Sequence, residues 1–462
     1  MNAGSPLHTA QPLVEKYDVP GPRYTSYPTV AYWGHPPAAG EWLQHLDRAL
    51  GPQAAGEPHG VALYVHLPFC RALCTFCGCN TRITRTHSGV RPYVQAVLEE
   101  FRLYRDGLGR ASLELGELYL GGGTPTFLDV DELELLLGGL GPHLAPRTGA
   151  SLTAEIDPRV TSREQLAVLA RHGFRCLSLG VQDFDPAVQD IVNRVQSEAQ
   201  VAGVTCEARE LGYRSIGFDL IYGLPLQSLA SIDLTMAALE RLRPDRIALY
   251  GYAHVPWIRP GQRRFTEADL PEGAARRALY LRSRQWLAQL GYREIGMDQF
   301  ALPGDALSQA AAAGSLHRNF MGYTTAATRA LIGLGASAIG DAGAAYAQNE
   351  KELQPYQERV ARGEFPLQRG HLLDAEDRIL RQHILRLMTR FATSWHAAGE
   401  QTPYLAQVPG RLAQMQQDGL VELGQAQVRV TEAGRSCLRN ICMAFDARLA
   451  RRSPERPLLR TV

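Results

Sequence analysis

Residues 66–80 read HLPFCRALCTFCGCN and place four of the chain's eight cysteines within ten positions. The spacing is Cys70-x3-Cys74-x2-Cys77-x-Cys79. Sulfur that dense makes a disulfide knot, a zinc site or an iron–sulfur site, and the rest of the chain has to choose among them. The cluster directly follows a strand-like run, VALYVHL at 61–67, so its placement bears on the fold as well as on the chemistry.

Bulk properties remove the first option. The first thirty residues hold no basic segment followed by an apolar one, so no secretion signal is expected. No apolar run reaches the roughly 18 residues of a membrane span, so no membrane partner is expected either. A cytoplasmic location keeps thiols free or metal-bound. The formal charge is +1, from 48 basic and 47 acidic side chains, and points to no nucleic-acid partner. Lys occurs only at Lys16 and Lys351, so a lone Arg in this Arg-biased chain says little.

A length of 462 residues implies two or three domains, or one large barrel with additions. Residues 1–60 are rich in Pro and Gly, with one short helical stretch at EWLQHLDRAL, and read as an arm wrapping a larger body. From 61 to about 365 short apolar runs alternate with helical segments. The runs are VALYVHL (61–67), ELYL (117–120), SLTAEI (151–156), CLSLGV (176–181), IGFDLIY (216–222) and RIALYGY (246–252). Between them, Val94, Val97, Leu98, Phe101 and Tyr104 keep the spacing of one buried helix face. Gly173 and Gly212 stop two further helices. Repeated strand–helix alternation means parallel β/α units, in a doubly wound sheet or a partial or complete barrel. Both architectures put chemistry at the carboxyl ends of strands. The cysteines, GGGTPT, EIDP, GVQDF, DLIYGLP and YAHVP follow the six runs in turn, which describes one rim around one site.

Residues 370–462 read helix, helix, short hairpin, helix, like a winged-helix module. From 371 onward it holds 13 Arg and 9 acidic residues, no convincing basic stripe, and a structural or lid role is expected. Cys176, Cys206, Cys437 and Cys442 read as core packing.

A zinc site wants four ligands, usually as two separated pairs, and no second CxxC or HxxxH pair follows. Three thiolates on a four-iron cube leave one iron open for a small chelating ligand, so a cluster is placed ahead of zinc. The CxxxCxxC motif after a first strand resembles the signature of the radical S-adenosylmethionine (SAM) enzymes. The resemblance implies a [4Fe–4S] cluster held by Cys70, Cys74 and Cys77. A longer set of strings narrows it further. GPRYTSYPT, LYVHLPFC, CGCN, GGGTPT, EIDPR, GVQDF, VNRVQ, DLIYGLP, YAHVP, HRNF, GYTT and YAQNEKEL together resemble the oxygen-independent coproporphyrinogen III oxidases.

That resemblance implies an α/β fold, a partial (β/α)6 barrel with an N-terminal arm and a small helical, winged-helix-like C-terminal domain. It implies two SAM molecules, with Tyr64, Gly122 and Glu155 toward the first. It likewise implies contacts to the second from Phe76, Gly123, Thr124, Gln182, Arg194, Asp219, Ala253 and Ile339. Cys79 matches a fourth cysteine that serves activity without ligating the cluster, and Glu155 and Tyr64 join it as catalytic candidates. Taken singly, Tyr64 reads as a strand aromatic, Glu155 as a solvent carboxylate and Asp219 as a buried cap. The implied partners are coproporphyrinogen III, a reductant such as flavodoxin or ferredoxin, and an unidentified electron acceptor. A monomer is expected. Four carboxylates on the substrate want guanidinium partners, for which Arg23, Arg82, Arg85 and Arg318 are candidates. Rival activities are a radical SAM methyltransferase, a haem-ring-opening enzyme, a haem-binding chaperone and a nucleic-acid-binding regulator. Two positions depart from the family pattern: Met321 stands where glutamine is usual, and Gln299 where histidine is. Methionine cannot donate a hydrogen bond, so any polar contact made there is lost.

Overall fold

The computed structural model describes residues 16–51 and 60–451. Its centre is one twelve-stranded sheet. In chain order the strands are β1 (Val61–Leu67), β2 (Leu113–Gly122), β3 (Leu144–Ile156), β4 (Cys176–Gln182), β5 (Ser215–Tyr222) and β6 (Arg246–Gly251). They continue as β7 (Arg293–Gly296), β8 (Gln299–Ala301), β9 (Ala330–Leu334), β10 (Ile339–Asp341), β11 (Ala345–Asn349) and β12 (Leu367–Leu372). The spatial order is β12-β11-β10-β9-β1-β2-β3-β4-β5-β6-β8-β7. Strands β1 to β6 run parallel in sequence order, and the ends of the sheet do not pair with each other. The expected partial barrel of six β/α units is therefore present, as an open curved wall.

The structure adds a strand to the expectation. β9 pairs with the other edge of β1 in parallel, making a seventh parallel strand, and β10 to β12 continue antiparallel. All five β9 residues are buried. A run buried on both faces lacks the alternation that marks a strand in sequence. Gly333 makes the turn-back feasible, because a Cβ there would stand 2.5 Å from the Ile339 carbonyl oxygen.

Helices pack outside the sheet. In Val90–Leu108 the buried face includes Val94, Val97, Phe101 and Tyr104, while Leu98 is partly covered. Glu100 on the same helix is buried, and burial raises its pKa to about 7. It accepts hydrogen bonds from the Gly335 amide (2.8 Å), the Asn349 amide (2.7 Å) and the Tyr356 hydroxyl (2.7 Å). The helix is thereby tied to the segment after β9. Helices Arg163–Arg171 and Glu198–Glu210 both open with capping boxes, and Gly173 and Gly212 leave them at positive φ.

The described part of the arm joins two bodies. Helix Ala39–Ala49 buries Trp42 and Leu46 in the barrel core, and Trp42 Nε1 donates to the Tyr104 hydroxyl at 3.1 Å. Upstream, Tyr24 and Tyr27 belong to the core of the C-terminal module with Leu380, Leu412 and Phe445. The Tyr24 hydroxyl donates to Asp446 at 2.9 Å. That module carries helices Ala375–Arg390, Val408–Gln417 and Leu438–Ala444 beside a small sheet of Ala392–Ser394, Gln427–Val430 and Val421–Gly424. Cys437 and Cys442 are buried as expected, Cys176 is half-buried, and Cys206 is exposed rather than packed in the core. Cys206 lies on the outer face of its helix, one turn before Glu210. Among the described residues no helix is long and apolar enough to cross a membrane.

Candidate functional site

The cysteine loop leaves β1 and is pinned along its length. The Thr75 amide donates to Val192 O (2.9 Å), Arg82 N to Pro68 O (2.7 Å), Thr84 N to Cys70 O (2.9 Å), and Asn80 Nδ2 to Lys351 O (2.9 Å). Cys74 is buried, Cys70 and Cys77 are half-buried, and Cys79 is exposed. Two guanidiniums reach the Cys74 sulfur, Arg194 at 3.4 Å and Arg159 at 3.6 Å. Both also hold Asp157, at 3.3 and 2.7 Å. Without a metal, burial pushes the Cys70 thiol up to about 12, while a hydrogen bond from Cys79 draws Cys77 down to about 6.

The end of β2 closes over this loop. A Cβ on Gly122 (φ 118°) would stand 2.8 Å from the His66 ring, and one on Gly123 would stand 2.6 Å from Pro68 O. Only glycine lets that backbone approach. The Gly122 amide donates to Glu155 Oε2 and the Tyr119 hydroxyl to Glu155 Oε1, both at 3.0 Å. Burial raises the Glu155 carboxyl above its usual range. His66 links Tyr64 to the cysteine loop, with Tyr64 OH 3.0 Å from Nδ1 and Asn80 O 2.9 Å from Nε2. Burial pushes His66 down to about 4, so it is neutral. A carbonyl can only accept, so Nε2 carries the proton and Tyr64 donates to Nδ1.

A second wall comes from β4 and β5. Gln182 takes positive φ (69°), Arg194 Nε donates to Gly180 O at 3.0 Å, and the Ser178 hydroxyl donates to Asp219 at 3.0 Å. Burial first, then the nearby Glu155 charge, raises Asp219 to about 7. Gln262 Nε2 bridges Phe76 O and Ala253 O at 3.1 and 3.0 Å.

These walls enclose a cavity of about 730 Å³. Cys70, Cys74, Cys77 and Cys79 line one side, Gly122, Gly123, Thr124 and Glu155 the next, and Phe76, Gln182, Arg194, Asp219 and Ala253 the third. Two expected residues stand off it. Tyr64 is not among the lining residues, and its hydroxyl is turned to His66 Nδ1 at 3.0 Å. Ile339 is buried among Trp33, Tyr346 and Leu373. Of the four arginines offered for substrate carboxylates only Arg23 lines the cavity. Arg82 and Arg85 are exposed on the cysteine loop, and Arg318 donates to Tyr24 O at 2.6 Å and stacks on Tyr323. Met321 and Gln299 both line the cavity.

Sequence reasoning passed over His66, Asp157, Arg159 and Glu117. The first three sit inside strings already singled out, LYVHLPFC and EIDPR. Glu117 carried no local signal. It is buried on β2, accepts from Asn319 Nδ2 at 2.8 Å, and so anchors the 317–324 ribbon that presents Met321.

Comparison with known proteins decides the family. Residues 64–239 match the radical SAM superfamily model. The oxygen-independent coproporphyrinogen III oxidase of Salmonella typhimurium is 38% identical over 96% of both chains. The enzyme of the same name from Pseudomonas aeruginosa is 38% identical over 94% of this chain and 95% of its own. The chain belongs to the oxygen-independent coproporphyrinogen III oxidase family. The solved coproporphyrinogen III oxidase of Escherichia coli, itself a radical SAM enzyme, superposes with a TM-score of 0.86 at 38% identity. That superposition covers 92% of this chain and 97% of the other, so the likeness to this oxidase takes in arm and C-terminal module as well as barrel.

Proposed function

We propose that this oxidase converts two propionates of coproporphyrinogen III to vinyl groups without oxygen, giving protoporphyrinogen IX in haem biosynthesis. The observation that carries the reading is the disposition of thiols beside the glycine turn. Among the described residues, three candidate ligand atoms lie mutually within 4.8 Å only at His87, Asp129 and Glu132, where the two acids already cap a helix. A single tetrahedral zinc at about 2.3 Å from each sulfur would draw thiolates to about 3.8 Å apart. The wider spread of Cys70, Cys74 and Cys77 suits the corners of a [4Fe–4S] cube, and the Arg194 and Arg159 donors on Cys74 suit a thiolate.

When bound, a [4Fe–4S] cluster held by Cys70, Cys74 and Cys77 would supply the electron for reductive cleavage of SAM, and that chemistry would provide the hydrogen abstraction at the propionate β-carbon. The chain's residues orient and exclude. Gly122 and Gly123 let a ligand lie against bare backbone, and Glu155, fixed by Gly122 N and Tyr119, offers a carboxylate for the first SAM. Phe76, Thr124, Gln182, Arg194, Asp219 and Ala253 are assigned to a second SAM on the facing wall. Tyr64 and Ile339 act from behind the lining, Tyr64 through His66. Arg23 is the carboxylate partner. Its guanidinium sits 3.9 Å from Asp298 and over the Tyr250 ring, a loose pairing that a propionate can enter. Loss of CO2 leaves one electron for a one-electron acceptor. Substrate fully deuterated at the propionate β-carbons tests the step: one deuterium per vinyl formed must appear in 5′-deoxyadenosine while the other stays on the vinyl carbon, and 5′-deoxyadenosine free of deuterium would sink the reading.

Asp219 makes affinity for SAM depend on pH. It faces Glu155, Arg194 and Ser178, with the Tyr119 and Tyr250 hydroxyls near. Its folded pKa of about 7 means that it gains a proton as pH falls through 7 and loses the negative charge and one of the acceptor oxygens it offers to ligand donors. SAM binding should weaken by up to about tenfold per pH unit below that value. Equilibrium titration between about pH 6 and about pH 8 checks this against Asp219→Asn, which should bind weakly with a flat profile.

A further inference from the structure

The cysteine loop and a second loop packed on it concentrate charge of one sign. Residues 69–89 contain Arg71, Arg82 and Arg85 and no Asp or Glu; residues 251–265 contain Arg259, Arg263 and Arg264 and again no Asp or Glu. Six guanidiniums stand here in a chain whose whole formal charge is +1. Among the described residues none of the six has a carboxylate within ion-pair distance. The two loops touch. Arg259 Nη2 donates to Gly78 O at 2.6 Å, and Leu73 lies 2.9 Å from the Cβ position of Gly261. A third segment joins them where Asn193 Nδ2 donates to Leu73 O at 2.7 Å.

The same three segments expose large apolar side chains. Val195 is 65% exposed, Trp257 55%, Ile258 50%, and Leu73 and Ile83 are also uncovered. Scattered surface apolar residues need no explanation, but five on three mutually bonded segments form a patch. Exposed apolar side chains that include a Trp, on segments that also carry unpaired Arg, are the residue types that protein interfaces favour. The location of the patch is specific, because Leu73, Gly78 and Ile83 line the cavity between and beside the cysteines.

We propose that this patch of apolar and arginine side chains is the docking surface for an acidic one-electron donor protein. The assignment rests on the iron–sulfur reading above. The donor's reduced cofactor would lose one electron for each SAM cleaved, to a cluster that Cys70, Cys74 and Cys77 would hold, with no atom exchanged. Opposite charges steer the encounter, and its affinity falls with salt. Trp257 supplies the apolar contact and the arginines the orientation.

The test uses the cluster-loaded enzyme with a flavodoxin as probe. Trp257→Ser and the double variant Arg263→Glu/Arg264→Glu change exposed groups assigned no part in the chemistry. Each should weaken flavodoxin binding, read by calorimetry, at least about tenfold, and the double variant should flatten its salt dependence. Turnover driven by dithionite should stay at the parent level in both. Flavodoxin affinity within twofold of the parent in both variants overturns the proposal. So does a patch that retains RNA in preference to flavodoxin and loses it on charge reversal. Absence of dithionite-driven turnover in the parent would instead contradict the proposed activity, while the binding titration would still report on the patch.

Discussion

Serine in place of Cys70, Cys74 or Cys77 should give a protein that folds but carries no intact four-iron cluster and makes no vinyl product, whereas Cys79→Ser should keep its iron and lose turnover. The difference follows from where the four sulfurs stand. Cys74 is buried under two guanidinium donors and Cys70 lies 3.5 Å from the Thr124 hydroxyl, both fixed facing the cavity. Cys77 completes the set at the third position of the loop. Cys79 is exposed, with its backbone amide turned to the Cys77 sulfur at 3.4 Å. A serine hydroxyl is a poor substitute for a soft thiolate toward iron. Iron and acid-labile sulfide per chain should be about four of each for the parent and for Cys79→Ser, and well below that for the other three. Iron retained in one of those three, or lost in Cys79→Ser, would show that the ligand set is drawn wrongly.

Asp157→Ala should cost stability on a scale reached by few single substitutions. The carboxylate is buried between Arg194, itself buried, and Arg159. Its removal leaves two guanidiniums without their anion, and breaking a buried pair from one side costs about 3–5 kcal/mol. Burial alone would raise the Asp157 pKa, but Arg194 and Arg159 outweigh it and hold the carboxyl below its usual range. A group with a depressed folded pKa stabilises above its unfolded value and loses that contribution as pH falls through the folded one. Denaturant titration should therefore show a large gap between variant and parent at neutral pH, closing below about pH 4. An equal midpoint at neutral pH would mean that Arg194 and Arg159 find another partner.

Much of this arrangement was readable in the chain because its signals are local. Period-two and apolar runs located β1 to β6 to within a few residues outside the longer β2 and β3, and Gly173 and Gly212 ended helices where glycine relieves positive φ. β9 was missed because ALIGL lies in a glycine-rich apolar stretch, where a doubly buried strand and a buried helix look alike. What depends on distant partners was also out of reach. Tyr24 and Tyr27 looked like loop residues, yet they pack into a module some 350 residues later in the chain. Asp157 and Arg159 were visible in EIDPR, but not that Arg159 and Arg194 would converge on Cys74. The arginine candidates show the same limit. Charge chemistry nominated four, and the tertiary fold kept Arg23 at the cavity while giving Arg318 to the Tyr24 carbonyl.

The product of an oxygen-free reaction decides what this enzyme does. Cluster-loaded protein is incubated with SAM, a reductant, an electron acceptor and coproporphyrinogen III, and the porphyrins and nucleosides are separated by chromatography. Protoporphyrinogen IX, or the porphyrin it oxidises to, should form together with 5′-deoxyadenosine. SAM cleavage without any vinyl product would contradict the account, and Met321 on the cavity wall would be the first residue to change to glutamine.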